Sequence, residues 1–148
     1  MPYYNRVSLL KLTLESFEYF YGNRDDFEVV IVDDGSPEGG EASLATSCGR
    51  NLNIKLIELS KNKIGINPCY PYNVAAREAT GDVFVLSSPE TLHTMNLFAL
   101  TAGFNSITKD MYYQFSVFCL TDLALKNRLT QGGSFEDKLN VITDIKPK

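Results

Sequence analysis

The 148-residue chain is poor in histidine and cysteine, with His93 alone of the first kind and Cys48, Cys69 and Cys119 of the second. A lone histidine excludes a His-rich metal centre. Three widely spaced thiols make neither a disulfide framework nor a zinc signature. They read as buried or incidental thiols of a reducing compartment, since free cysteine usually behaves as a small hydrophobe. No apolar run approaches the roughly 20 residues of a membrane-spanning helix. No signal-peptide pattern opens the chain either, because Arg6 leads into an amphipathic segment. The expectation is a cytoplasmic protein without a membrane span. A net charge of −4 and a pI near 5.0 argue against a nucleic-acid binder, whose phosphate contacts need clustered Lys and Arg. Neither G-x-G-x-x-G nor G-x-x-x-x-G-K-[ST] occurs, which excludes the dinucleotide and P-loop phosphate cradles. No local signature marks a Ser or Cys nucleophile.

What is present suits one globular domain over residues 1–148: 44% hydrophobic and 22% charged residues, enough for a real core. Val7, Leu10, Leu14, Phe17 and Tyr21 recur on one helical face, with Asn5 placed to cap the helix and Gly22 to end it. Phe27–Val32 is a β-branched run without alternation, the mark of a strand buried on both faces. It stops at Asp33-Asp34-Gly35-Ser36, a turn followed by a Pro37-led helix start that Gly39-Gly40 weakens. Ile54–Leu59 alternates as a half-buried strand, and a loop over residues 60–67 carries Gly65. A helix is predicted from Asn67-Pro68 to about Ala79, ended by Thr80-Gly81, and Val83–Leu86 is the next buried strand. Residues 94–108 contain no charge, and Leu97, Leu100 and Phe104 share a helical face expected to be buried. Met111–Leu120 reads as a strand, whereas the tail, 131–148, shows turn residues and little periodicity.

Helices alternating with buried strands imply an α/β fold, a Rossmann-like, mostly parallel sheet flanked by helices. Such sheets bind ligands at the carboxyl ends of their strands. Asp33-Asp34 and Ser88-Pro89-Glu90 both follow predicted strands, which puts them on one edge. Asp33 reads either as a solvated turn residue or as an acceptor aimed at a ligand N–H or ribose hydroxyl. Ser88-Pro89-Glu90 reads either as a helix start, with Ser as N-cap and Pro first in the helix, or as a carboxylate brought to a metal ion. The same triplet occurs at Ser36-Pro37-Glu38. His93, three residues after Glu90, would share its face in a helix.

Four stretches carry a resemblance: PYYNR (Pro2 to Arg6), FEVVIVDDGSPE (Phe27 to Glu38), NKIGINPCYPYNVAAREATGDVFVL (Asn62 to Leu86) and SSPETLH (Ser87 to His93). In order and spacing they resemble the donor half of a family 2 glycosyltransferase with a GT-A fold, over roughly residues 2–120. The resemblance implies Pro2, Tyr4, Asp33 and, less directly, Asp34 as nucleotide contacts. It places the family's Asp-x-Asp on Ser88-Pro89-Glu90, a variant without the first Asp. A magnesium or manganese ion on a diphosphate usually needs only one or two protein carboxylates. Glu90 would then hold the divalent metal, with His93 a second ligand. The implied donor is a nucleotide-diphosphate sugar, a UDP-sugar before others, and the acceptor an unidentified hydroxyl. The alternative is a non-catalytic nucleotide-binding or protein-interaction domain of the same fold. The family has an apolar strand before the Pro-x-Tyr-Asn-Arg turn, and an acceptor half with the catalytic base after the metal motif. Here the chain starts at the turn, and the one acidic pair found after residue 120, Glu136-Asp137, lies in the tail. The chain therefore reads as truncated at both ends, with no catalytic residue assigned, a vacant central strand position and a tendency to self-associate.

Overall fold

The central strand, β2 (Glu28–Asp33), has a parallel neighbour on each side. β1 (Pro2–Tyr3) sets Pro2 against Val32 and Tyr3 against Asp33. β3 (Asn53–Glu58) runs along the other edge, from Glu28↔Asn53 to Asp33↔Glu58. The computed structural model describes residues 1–60, 67–100, 112–117, 119 and 123–143. It falls into two compact units, Met1–Leu92 and His93–Lys148.

In the first unit, α1 (Val7–Tyr21) buries Leu10, Leu14, Phe17 and Tyr21, the face the periodicity predicts. Phe17 meets Phe27 edge to face at the entrance to β2 and Tyr21 packs on it tilted, with ring centroids 6.1 and 4.6 Å away. A single turn, α2 (Ser43–Thr46), follows β2, and α3 (Cys69–Glu78) follows β3. Val30 and Val32 pack on Ala75 of α3, joined by Ile57, Leu59, Val74 and Ala79. Val29 and Ile31 alternate to the opposite face and are also buried, so β2 is covered on both sides as its β-branched run requires. Glu28 anchors the end of α3. Its Oε1 accepts the backbone N–H of Thr80 and of Gly81, and the Thr80 hydroxyl. Three parallel strands flanked by helices make an α/β, Rossmann-like fold, as expected. Among the described residues, no helix is long and apolar enough to cross a membrane.

Several local expectations fail, each for a tertiary reason. Val83–Leu86 forms no strand, and all four side chains are exposed, Leu86 at 76%. Strand propensity is realised only beside another strand's free backbone edge, and β1, two residues long, offers little. Phe84 and Leu86 instead line an apolar groove of about 70 Å³ with Val30, Ala75 and Ala79. Pro37 starts no helix: residues 37–40 form a turn with Gly39 at φ 79, and α2 begins only at Ser43. Asn5 does not cap α1. It takes a left-handed conformation (φ 47), Arg6 holds the N-cap position, and Gly22 ends the helix in a right-handed conformation (φ −61).

The second unit contains α4 (Leu97–Leu100), α5 (Leu123–Thr130) and α6 (Phe135–Thr143). Leu97 is buried but Leu100 is exposed, so the uncharged segment is not uniformly interior, and Phe104 lies outside the described residues. Of the expected strand Met111–Leu120, Tyr112–Val117 is in no strand, with Tyr112 and Val117 well exposed. Within the tail, Phe135–Thr143 forms a helix that the weak periodicity did not signal. Ser134 and Asp137 form a reciprocal cap, Ser134 Oγ donating to Asp137 Oδ2 (2.6 Å) while Asp137 N–H donates to Ser134 Oγ (3.2 Å). Glu136 and Asp137 are thus the acidic first turn of α6, where the helix dipole favours them.

Candidate functional site

Where β1 ends, the chain turns sharply, and this turn is stitched to the loop after β2. The Tyr3 hydroxyl donates to the Gly40 carbonyl (2.8 Å) and accepts the Arg6 N–H (3.0 Å). Asn5 N–H donates to Ser36 Oγ (2.8 Å), and Asp34 N–H donates to the Tyr3 carbonyl (2.8 Å). A Cβ at Gly40 would push the Asn5 side-chain amide out of its present position. Burial, and then the nearby Asp33 and Glu41 charges, raise the Tyr3 phenol above its ordinary pKa, which keeps it a neutral donor. Pro2 is half-buried in β1, and Tyr4 projects from the turn at 55% exposure.

Asp33 closes β2 and is almost wholly buried. Its Oδ1 accepts Ser36 N–H (2.9 Å) and its Oδ2 accepts Ala42 N–H (2.8 Å). One carboxylate therefore holds both ends of the loop that faces the β1 turn. Asp34, the next residue, is also buried and sits at the same strand end. The structure brings Pro2, Tyr4, Asp33 and Asp34 to one edge, at the carboxyl ends of two adjacent parallel strands.

Ser88-Pro89-Glu90 is a turn and not a helix start. Thr91 N–H donates to the Ser88 carbonyl (3.2 Å), and the Ser88 and Thr91 hydroxyls bond each other (2.9 Å). Pro89 is buried, and its carbonyl accepts the hydroxyl of Thr13 in α1 (2.9 Å). That leaves Glu90 displayed at the surface, where its carboxylate forms an ion pair with the Arg6 guanidinium. Both side chains are about half exposed, at 54% for Arg6 and 41% for Glu90.

His93 opens the second unit and is buried, and desolvation lowers its pKa from 6.5 to about 4. Its ring is neutral at pH 7. Residues 91–96 are in no helix, so the helical face that His93 was expected to share with Glu90 does not form. Among the described residues, no group of three or more His, Cys, Asp or Glu side chains could hold a metal ion. Glu90 alone fits a divalent cation when diphosphate oxygens and waters complete the shell.

Sequence reasoning passed over Tyr3, Ser36, Thr13 and Arg6, which the structure shows shaping this edge. Tyr3 had a signal: an aromatic ring with a polar tip at the end of a strand usually finds a hydrogen-bond partner when buried. Arg6 had none, since its partner lies 84 residues away in the chain.

The first unit is thus a parallel α/β sheet with a stitched, carboxylate-bearing loop at its strand ends. The chain belongs to glycosyl transferase family 2, whose family model matches residues 1–118. Its function is accordingly glycosyltransferase-like. No curated protein and no solved structure gives a match.

Proposed function

We propose that this edge binds the nucleoside diphosphate of a sugar donor, a UDP-sugar first, and that the domain transfers the sugar to an acceptor hydroxyl. The observation that carries this reading is the junction of the Tyr3–Arg6 turn with the Asp33–Ser36 loop, at the carboxyl ends of neighbouring parallel strands. Pro2 and the exposed Tyr4 supply surface for the base. Asp33 and Asp34 supply carboxylates for base N–H and ribose hydroxyls, Asp33 also holding the loop in place.

In the transfer, the acceptor oxygen forms a bond to the anomeric carbon while the bond from that carbon to the diphosphate breaks. The electron pair leaves with the diphosphate, and the acceptor proton passes to a base. Glu90 would hold a magnesium or manganese ion, and such an ion would supply stabilisation of negative charge on the leaving diphosphate. The Ser88-Pro89-Glu90 turn does in this chain what Asp-x-Asp does in the resemblance noted above.

Calorimetric titration with UDP, GDP and dTDP, each with and without manganese, tests the reading. Binding of one nucleotide, strengthened by manganese, is expected. No binding of any of the three overturns it. Binding without sugar transfer to any offered acceptor leaves a nucleotide-binding module of the same fold.

A further inference from the structure

The Arg6–Glu90 pair occupies the two groups that a metal–diphosphate complex would need. Arg6 has a fixed backbone: its N–H donates to Tyr3 Oη (3.0 Å), and its carbonyl accepts Leu9 N–H and Leu10 N–H (3.1 and 3.0 Å). Only its side chain is free to change partner. Glu90 is held through Thr13 and the Ser88–Thr91 turn, again leaving the carboxylate itself at the surface. The surrounding edge carries Asp33 and Asp34, and the Glu41 charge reaches Tyr3. A diphosphate approaching so many carboxylates needs a cation, and Arg6 is fixed there.

An exposed ion pair between two long side chains is weak and easily exchanged. A guanidinium gains more from the paired oxygens of a phosphate, and a lone carboxylate gains more from a hard dication. Neither exchange is favourable by itself. A cation alone must displace Arg6 from Glu90 and leave the guanidinium without its partner. A diphosphate alone meets the Glu90 charge beside Arg6. When both arrive together, one weak pair is replaced by two strong ones. By linkage, each ligand then strengthens the other by the same factor.

We infer that Arg6 is a phosphate-binding residue of the donor site, held by Glu90 until a divalent cation and a diphosphate arrive together. The inference rests on the donor-site reading above, and the experiment separates the two. Manganese, inorganic pyrophosphate and UDP are titrated singly and in combination into the parent, Arg6→Gln and Glu90→Gln chains by calorimetry. Near-ultraviolet circular dichroism confirms that each variant is folded.

In the parent, pyrophosphate and UDP are each expected to bind at least about tenfold more tightly with manganese than without. Arg6→Gln should bind manganese alone more tightly than the parent, yet lose about ten- to hundredfold in affinity for manganese with pyrophosphate or UDP, the range for a hydrogen-bonded charge. Glu90→Gln, which releases Arg6, should bind pyrophosphate without metal more tightly than the parent and become indifferent to manganese. Equal affinity of the parent and Arg6→Gln for manganese–pyrophosphate overturns the inference. So does a Glu90→Gln chain that binds metal-free pyrophosphate no better than the parent. If pyrophosphate binding follows Arg6 as described but UDP binds no better than pyrophosphate, the UDP reading of the donor fails and the role of Arg6 stands.

Discussion

The hydroxyl of Thr13, buried in α1, donates to the carbonyl of Pro89 at 2.9 Å, joining residues 76 apart in the chain. This bond fixes the turn that displays Glu90. Thr13→Val removes the donor at nearly constant volume and leaves a buried carbonyl unsatisfied, a loss of about 1–3 kcal/mol. Thr13→Ser keeps the hydroxyl. Urea unfolding should therefore rank the parent first, Thr13→Ser next and Thr13→Val last. Equal midpoints for the parent and Thr13→Val would show that the bond contributes nothing.

Asp33 is expected to matter twice, because its carboxylate holds Ser36 and Ala42 while belonging to the proposed nucleotide contact. Asp33→Ala removes two charge-assisted bonds to backbone N–H groups, and a single such bond is worth about 1.5–3 kcal/mol. The variant should unfold at clearly lower urea and bind UDP roughly ten- to hundredfold more weakly under conditions where it stays folded. Asp33→Asn keeps one acceptor oxygen and should fall between. A folded Asp33→Ala chain with parental UDP affinity would remove Asp33 from the contact.

Burial of His93 makes stability pH-dependent. Its folded pKa of about 4 lies below the ordinary 6.5, so between these values the unfolded chain binds a proton that the folded chain does not. Stability is fully present above pH 6.5, falls as pH drops below it, and is lost to its full extent once pH passes below 4. The whole depression is worth about 3 kcal/mol at most. Unfolding followed at pH 7.5, 6, 5 and 4.5 should show this decline in the parent. In His93→Gln the decline should be much shallower. Parallel profiles would mean that other groups carry the slope.

Phe84 and Leu86 are exposed apolar side chains beside a groove under α3, and contiguous apolar surface of this kind promotes association. Phe84→Ser with Leu86→Lys should raise the monomer fraction in sedimentation velocity while leaving the thermal midpoint nearly unchanged, since little buried area is given up. A parent that is monomeric at high concentration would contradict the expected self-association. A double variant that loses several degrees of midpoint would show that these side chains pack more than their exposure indicates.

Much of the first unit was legible in the sequence because it rests on short-range pattern. The spacing of Leu10, Leu14, Phe17 and Tyr21 encodes the buried face of α1, with Val7 half-buried at its start, and the β-branched run before Asp33 encodes a strand covered on both sides. Pro68 before α3 and Thr80-Gly81 after it are punctuation that acts locally, and the structure agrees within a residue. The Ser134–Asp137 cap of α6, in the second unit, is equally local but was not read, because turn residues and weak periodicity masked a short helix. The tertiary structure alone decided the rest. Val83–Leu86 has the composition of a strand, but a strand needs a neighbour's backbone edge, and that neighbour is not encoded in the segment. Asp33 was legible as a strand-end carboxylate. That both its oxygens hold the loop depends on where Ser36 and Ala42 return. The partnership of Arg6 with Glu90 depends on α1, through Thr13, fixing the turn at Pro89. Periodicity reports which side of an element meets the core, whereas pairing of charges and strands is set by distant segments folded against each other.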